Sequence, residues 1–243
     1  MLQLYPIGTS AALDYGVCML KQQGLDIVDH PTPEVTHLLL DVPRIQDAIS
    51  LEKILETLPP TVTVVGGRLD DPTLAHYRVW DLLHDEEYLA QNAAITADCA
   101  LRVAAPLLRT TFSQTPVLIL GWGRIGKCLG RMLQALGCDV TVAARSEKDR
   151  ALLGALGFKP MDPGCWPELT GFRLIFNTVP YPILPAEKTA RRKDCVKIDL
   201  ASRQGIEGED VVWARGLPGI HAPESSGKLI ADTILRKIKE AKV

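Results

Sequence analysis

Six consecutive residues, Gly121-Trp122-Gly123-Arg124-Ile125-Gly126, carry the most specific chemistry in this chain. They follow the apolar run Val117 to Leu120 and open a segment in which Ile125, Leu129, Met132, Leu133 and Leu136 recur at helical spacing. A Gly-x-Gly-x-x-Gly between a strand and a helix is a dinucleotide-binding fingerprint. Its first glycine makes the tight turn, its second admits the pyrophosphate, and its third lets the helix pack on the strand. The pyrophosphate would rest on the helix N-terminus, where unpaired N–H groups and the dipole favour an anion. The flanking strand and helix distinguish this stretch from a merely tight turn.

Which dinucleotide it holds turns on the end of the next strand, Asp139 to Ala143. An NAD-preferring site has Asp or Glu there, about 20 residues past the glycines, to hold the ribose 2′-hydroxyl. This chain instead reads Ala143-Ala144-Arg145-Ser146. Arg145 can pair with a 2′-phosphate and Ser146 can donate to it, so NADP is the expected cofactor, with NAD the alternative.

Three further segments fall where the chain leaves strands: Asn177 to Pro180, Asp199 to Ser202, and Gly216 to Pro223. Thr178, Val179 and Pro180 are expected to cover the nicotinamide half. For the other two segments a ligand wall and ordinary turns both remain open, with Asp199 as a capping carboxylate in the second case. No Gly-x-Ser-x-Gly elbow or serine–histidine arrangement occurs. Of five isolated histidines, His221 is the candidate catalytic group, because it lies in the last segment and an imidazole is a side chain suited to proton transfer.

The elements that must position these residues alternate regularly. Strands are expected at 117–120, 139–143, 174–179, 195–200 and 211–214, with helices between and a final helix over 224–239. This is the pattern of a doubly wound parallel Rossmann sheet. Residues 1–85 repeat it more weakly, as a smaller N-terminal α/β domain: strands at 2–7, 38–40 and 62–65, and a helix over 10–23. Residues 86–115 read as a connecting helix and loop, residues 116–222 as the NADP-binding domain, and residues 223–243 as a helix at the domain junction. An alanine stripe on the connecting helix and Leu229, Ile230, Ile234 and Ile238 on the last one suggest that these two lie side by side.

Composition excludes several classes. The 243 residues are 47% hydrophobic and 23% charged, with net charge −2 and no apolar run long enough to span a bilayer. The first 24 residues lack a secretory pattern, so a cytoplasmic location is expected. The first 115 residues hold 7 Lys and Arg against 15 Asp and Glu, and the rest 20 against 14, giving −8 and +6. Interleaved acids and few aromatics argue against nucleic acid. Six scattered cysteines, without metal spacing, read as small buried hydrophobes, and no metal is expected.

Residues 117 to about 235 resemble the A subunit of dipicolinate synthase from spore-forming bacteria. The matching stretches are VLILGWGRIGKCLGRMLQALGCDVTVAARS, LIFNTVPYPIL, IDLASRQG and GLPGIHAPESSGKLIADTI. The resemblance implies an N-terminal α/β domain, a long connecting helix and an NAD(P)-binding Rossmann domain. It further implies NADP-linked oxidation of dihydrodipicolinate to dipicolinate with a flavoprotein-like B subunit. Gly121, Gly123, Gly126, Arg145, Thr178, Pro180, Ala201 and Gly216 would then line the cofactor site. The chain departs from the family at Gln91, where an acid is usual, at Glu224, where a base is usual, and at His221, where an apolar residue is usual. A small anionic substrate would need cations, for which Arg68, Arg124, Lys127 and Arg203 are candidates, and a homo-oligomer is expected. Rival readings are another small NADP dehydrogenase of a hydroxy or keto acid, and a non-catalytic dinucleotide sensor.

Overall fold

The computed structural model describes residues 2–44, 51–164, 169–185, 187 and 194–241; Cys165 lies outside them. Two compact units are present, one of residues 1–92 with 218–243 and one of residues 93–217.

The first unit contains β1 (Gln3–Ile7), α1 (Ala11–Gln22), β2 (Asp26–Ile27), β3 (His37–Leu40), α2 (Leu51–Leu55), β4 (Thr63–Gly66) and β5 (Arg78–Asp81). All pairings are parallel, in the order β2-β1-β3-β4-β5. Ser10 starts α1 by accepting from the Leu13 amide at 3.2 Å. Leu38, Leu40, Val62 and Val64 form the sheet's buried centre. β2 and β5 lie at the edges, and neither stands out in the sequence.

Next comes α3 (Glu86–Ala104), which ends at Ala104 as Pro106 forces the chain into a short 3-10 turn. The second unit then builds β6 (Pro116–Leu120), α4 (Arg124–Ala135), β7 (Asp139–Ala143), α5 (Glu147–Ala155), β8 (Lys159–Met161), β9 (Leu174–Asn177), β10 (Val196–Asp199) and β11 (Val211–Trp213). Its strands are all parallel and run β8-β7-β6-β9-β10-β11. Numbered within this sheet that order is 3-2-1-4-5-6, the Rossmann arrangement, and the whole chain is doubly wound α/β. Continuous apolar runs at Leu118 to Leu120 and Leu174 to Phe176 are buried because helices cover both faces of such a sheet.

Two helices close the chain, α6 (Leu217–His221) and α7 (Pro223–Glu240). The sequence places α7 beside α3; in the structure its main partner is α1. Gly16 and Gly227 explain the choice. A Cβ at Gly227 would stand 2.6 Å from the Ala12 carbonyl oxygen, so the two backbones approach where no side chain intervenes. Leu229, Ile230, Ile234 and Ile238 are buried by this packing. α7 meets the start of α3 through ion pairs, Arg236 with Asp85 at 2.7 Å and Glu87 at 3.2 Å, and Lys237 with Asp85 at 2.8 Å. Among the described cysteines Cys99 and Cys195 are buried, but Cys18 is exposed, which corrects the reading of all as core.

Candidate functional site

A parallel sheet of this order has a switch point between β6 and β9, where the chain leaves the two strands in opposite directions and opens a crevice at their C-terminal ends. There the second unit carries a cavity of about 1020 Å³. Its floor is the turn after β6. Gly121 has φ +101°, a conformation that L side chains rarely adopt, and a Cβ there would lie 2.5 Å from the Thr178 hydroxyl. A Cβ on Gly126 would come within 2.3 Å of the Gly121 carbonyl oxygen. Gly123 differs: it precedes α4 as its cap, and a Cβ there would meet nothing within 4 Å. No capping side chain occupies the N-terminus of α4. The helix begins, at Gly123, on the border of the cavity.

The cavity extends from this floor in two directions. Toward β7 and β8 it is lined by Ala144, Arg145, Ser146, Asp149, Asp162 and Pro163. Arg145 is exposed, and its side chain has no partner among the described residues. Ser146 caps α5, accepting from the Asp149 amide at 3.3 Å, and its hydroxyl proton remains available to a ligand. Arg150 ties this end together, donating to the carbonyls of Ala144 at 2.9 Å and Arg145 at 2.7 Å and pairing with Asp162 at 3.1 Å. The charge of Asp162 is thereby met, leaving Arg145 and Asp149 to set the field. Toward β9 the lining is Thr178, Val179, Pro180, Tyr181, Pro182 and Ile183. The Thr178 hydroxyl donates to the Leu120 carbonyl at 2.9 Å, which holds this wall to the glycine turn.

Of the residues singled out in the sequence, Gly121, Trp122, Gly123, Arg145, Ser146, Thr178, Val179 and Pro180 line the cavity. Trp122 does so with its ring packed edge-on against Phe158, 5.3 Å between centroids. Arg124, Ile125 and Gly126 form the first turn of α4 and are not in the lining. Ala201 and Gly216 are also outside it; Ala201 is buried and Gly216 is exposed with φ +63°. His221 ends α6 and is exposed, in the first unit. Arg68 belongs to that unit too and has φ 61°, whereas Arg124, Lys127 and Arg203 are exposed in the second. Sequence reasoning missed Asp149, Asp162 and the run Tyr181 to Ile183. Asp162 follows β8, a three-residue edge strand containing Pro160 that carries little strand signal.

The residues present fit a dinucleotide. The floor offers an open glycine and a helix N-terminus without a side-chain cap for a pyrophosphate, and one arm of the cavity lies on either side for a nucleoside. Among the described residues no group of His, Cys, Asp and Glu could hold a metal ion, and no helix is long and apolar enough to cross a membrane.

No family model matches the chain. The A subunit of dipicolinate synthase from Bacillus subtilis is 28% identical over 169 residues, which span 65% of this chain and 57% of that protein. The sequence match thus covers less than two-thirds of that relative's length. The crystal structure of the corresponding protein from Bacillus halodurans superimposes with a TM-score of 0.83, at 22% identity, covering 97% of each chain. A transhydrogenase from Sinorhizobium meliloti shares the fold at a TM-score of 0.70 and 10% identity, over 98% of this chain and 94% of that one. The chain is thus similar in sequence to a dipicolinate synthase A subunit over about two-thirds of its own length, and it shares the fold of such a subunit throughout.

Proposed function

We propose that this chain is an NADP-dependent oxidoreductase that oxidises dihydrodipicolinate to dipicolinate together with a B-type subunit. The observation that carries the reading is the cavity at the β6/β9 switch point, floored by an open glycine turn and helix amides and bearing an unpartnered Arg145 at one end. The family likeness supports the substrate and the partner.

In this reading the cofactor, when bound, would supply the hydride acceptor for the oxidation. The chain's residues bind and orient. Amides at the start of α4 hold the pyrophosphate, with Gly123 leaving room for its approach. Arg145 holds the 2′-phosphate in a charge-assisted pair, and Ser146 donates to it. Residues 178–183 cover the ring and keep water from it. His221 is proposed to take the proton released as the substrate ring aromatises.

Arg145 shares its arm of the cavity with Asp149, so its advantage for a 2′-phosphate is partly offset, and a preference of roughly tenfold for NADP(H) over NAD(H) is expected. A calorimetric titration with both cofactors tests this. Arg145→Asp should reverse the preference, and equal affinities in the wild type would contradict the assignment.

A further inference from the structure

We propose that Asp199 is the positioning residue of this site, its buried carboxylate fastening the loops after β9 and β10 to one another and so fixing the wall over the nicotinamide end. The inference rests on the dinucleotide reading above and deepens it.

Asn177 and Asp199 are the last residues of adjacent strands, directly opposite in register, and both are fully buried. One oxygen of Asp199 accepts from Asn177 Nδ2 at 3.0 Å and from the Ala201 amide at 3.0 Å. The other accepts from the amides of Gly205 at 2.7 Å and Ile206 at 2.9 Å. Asn177 passes the constraint on, donating to the Val179 carbonyl and accepting from the Val179 amide, each at 2.9 Å. The loop after β10 is thereby pressed against the loop after β9. Ile183 donates to the Gly205 carbonyl at 2.8 Å, and a Cβ on Gly205 would lie 2.4 Å from the Tyr181 carbonyl oxygen. No gap is left for either loop to drift.

A carboxylate is an expensive way to fill a buried position, since it must be stripped of water and then satisfied on every side. An apolar residue would fill the space at lower cost but could not gather four N–H donors around one point. What the four bonds supply is position. The segment they hold is the same Val179 to Ile183 run that lines the β9 arm of the cavity. Arg145 marks the opposite arm as the 2′-phosphate end, which leaves this arm for the nicotinamide.

The test is to titrate Asp199→Asn with NADPH and, separately, with adenosine 2′,5′-bisphosphate, which lacks the nicotinamide half. The amide of the variant must turn its NH2 toward two of the four donors, opening the seam. NADPH is expected to bind roughly tenfold more weakly or worse, while the bisphosphate keeps its wild-type affinity within about twofold, a tolerance well below that expected loss. Both ligands unchanged, or both weakened alike, would overturn the proposal. Should Asp199→Asn not fold, Gly205→Ala strains the same seam from the other side, and the same two titrations apply by the same criteria. Wild-type chain that binds neither compound would instead overturn the cofactor reading beneath it.

Discussion

Gly123 and Gly126 stand three residues apart and are small for opposite reasons. Around Gly123 there is open space, whereas a side chain on Gly126 would strike backbone 2.3 Å away. Gly123→Val should therefore fold with its melting temperature nearly unchanged but lose about 100-fold or more in cofactor affinity, since the branched side chain fills the pyrophosphate's place. Gly126→Ala should lower the melting temperature, because the helix must move off its strand. Thermal denaturation and cofactor titration of both variants separate the two roles. His37 in the other unit makes a different prediction. Burial, with the charge of Arg78 added, lowers its pKa to about 4, and its ring packs 5.1 Å from that of Trp80. The folded chain keeps this imidazole neutral while the unfolded chain protonates it near 6.5. Stability present above about pH 6.5 should thus fall as the pH drops from there to about 4, by at most about 3 kcal/mol. Melting temperatures across that range should decline less in His37→Gln than in the wild type.

Among the elements, α3 and α7 are held together by charge where α1 and α7 are held by packing. Asp85 accepts from the Tyr88 amide at 2.9 Å, capping α3, and receives Arg236 and Lys237 from α7. Burial raises its pKa, but the hydrogen bonds from Arg236 and Lys237 together with the cap outweigh that and hold the carboxyl well below its usual range. Asp85→Asn removes the charge both cations depend on and should cost about 2 to 4 kcal/mol, read as a lower denaturation midpoint. The stability it contributes is present above pH 3.8 and is lost as the pH falls below that value. None of this was legible in the sequence, because α7's apolar face fits α1 and α3 equally until Gly16 and Gly227 decide between them. The central strands β6, β7, β9 and β10 were legible, since burial on both faces leaves unbroken apolar runs. Edge strands β2, β5 and β8 were not, being two to four residues long and half-exposed or carrying proline. The site divides in the same way. Its glycine turn and Arg145 are read from contiguous residues, while Asp149, Asp162 and Tyr181 to Ile183 reach the cavity only through the folding of separate loops.

For the whole molecule, the chain joins a flavodoxin-like sheet order, 2-1-3-4-5, to a Rossmann sheet, and the cavity belongs entirely to the second unit. Cofactor binding and turnover should therefore be separable: changes in the cavity affect both, and His221→Ala affects turnover alone. In the dipicolinate synthase reading the substrate loses a hydride and a proton, and His221 is the residue proposed to take the proton. The reaction is accordingly expected to be slow with this chain alone. The most direct measurement is NADPH formation, with dipicolinate as product, when the chain is given NADP and dihydrodipicolinate with and without a B-type partner. The account predicts slow turnover alone, faster turnover with the partner, and a loss of about tenfold or more in His221→Ala, the size of effect expected for a general base. A chain that binds NADP yet forms no dipicolinate under either condition would contradict it.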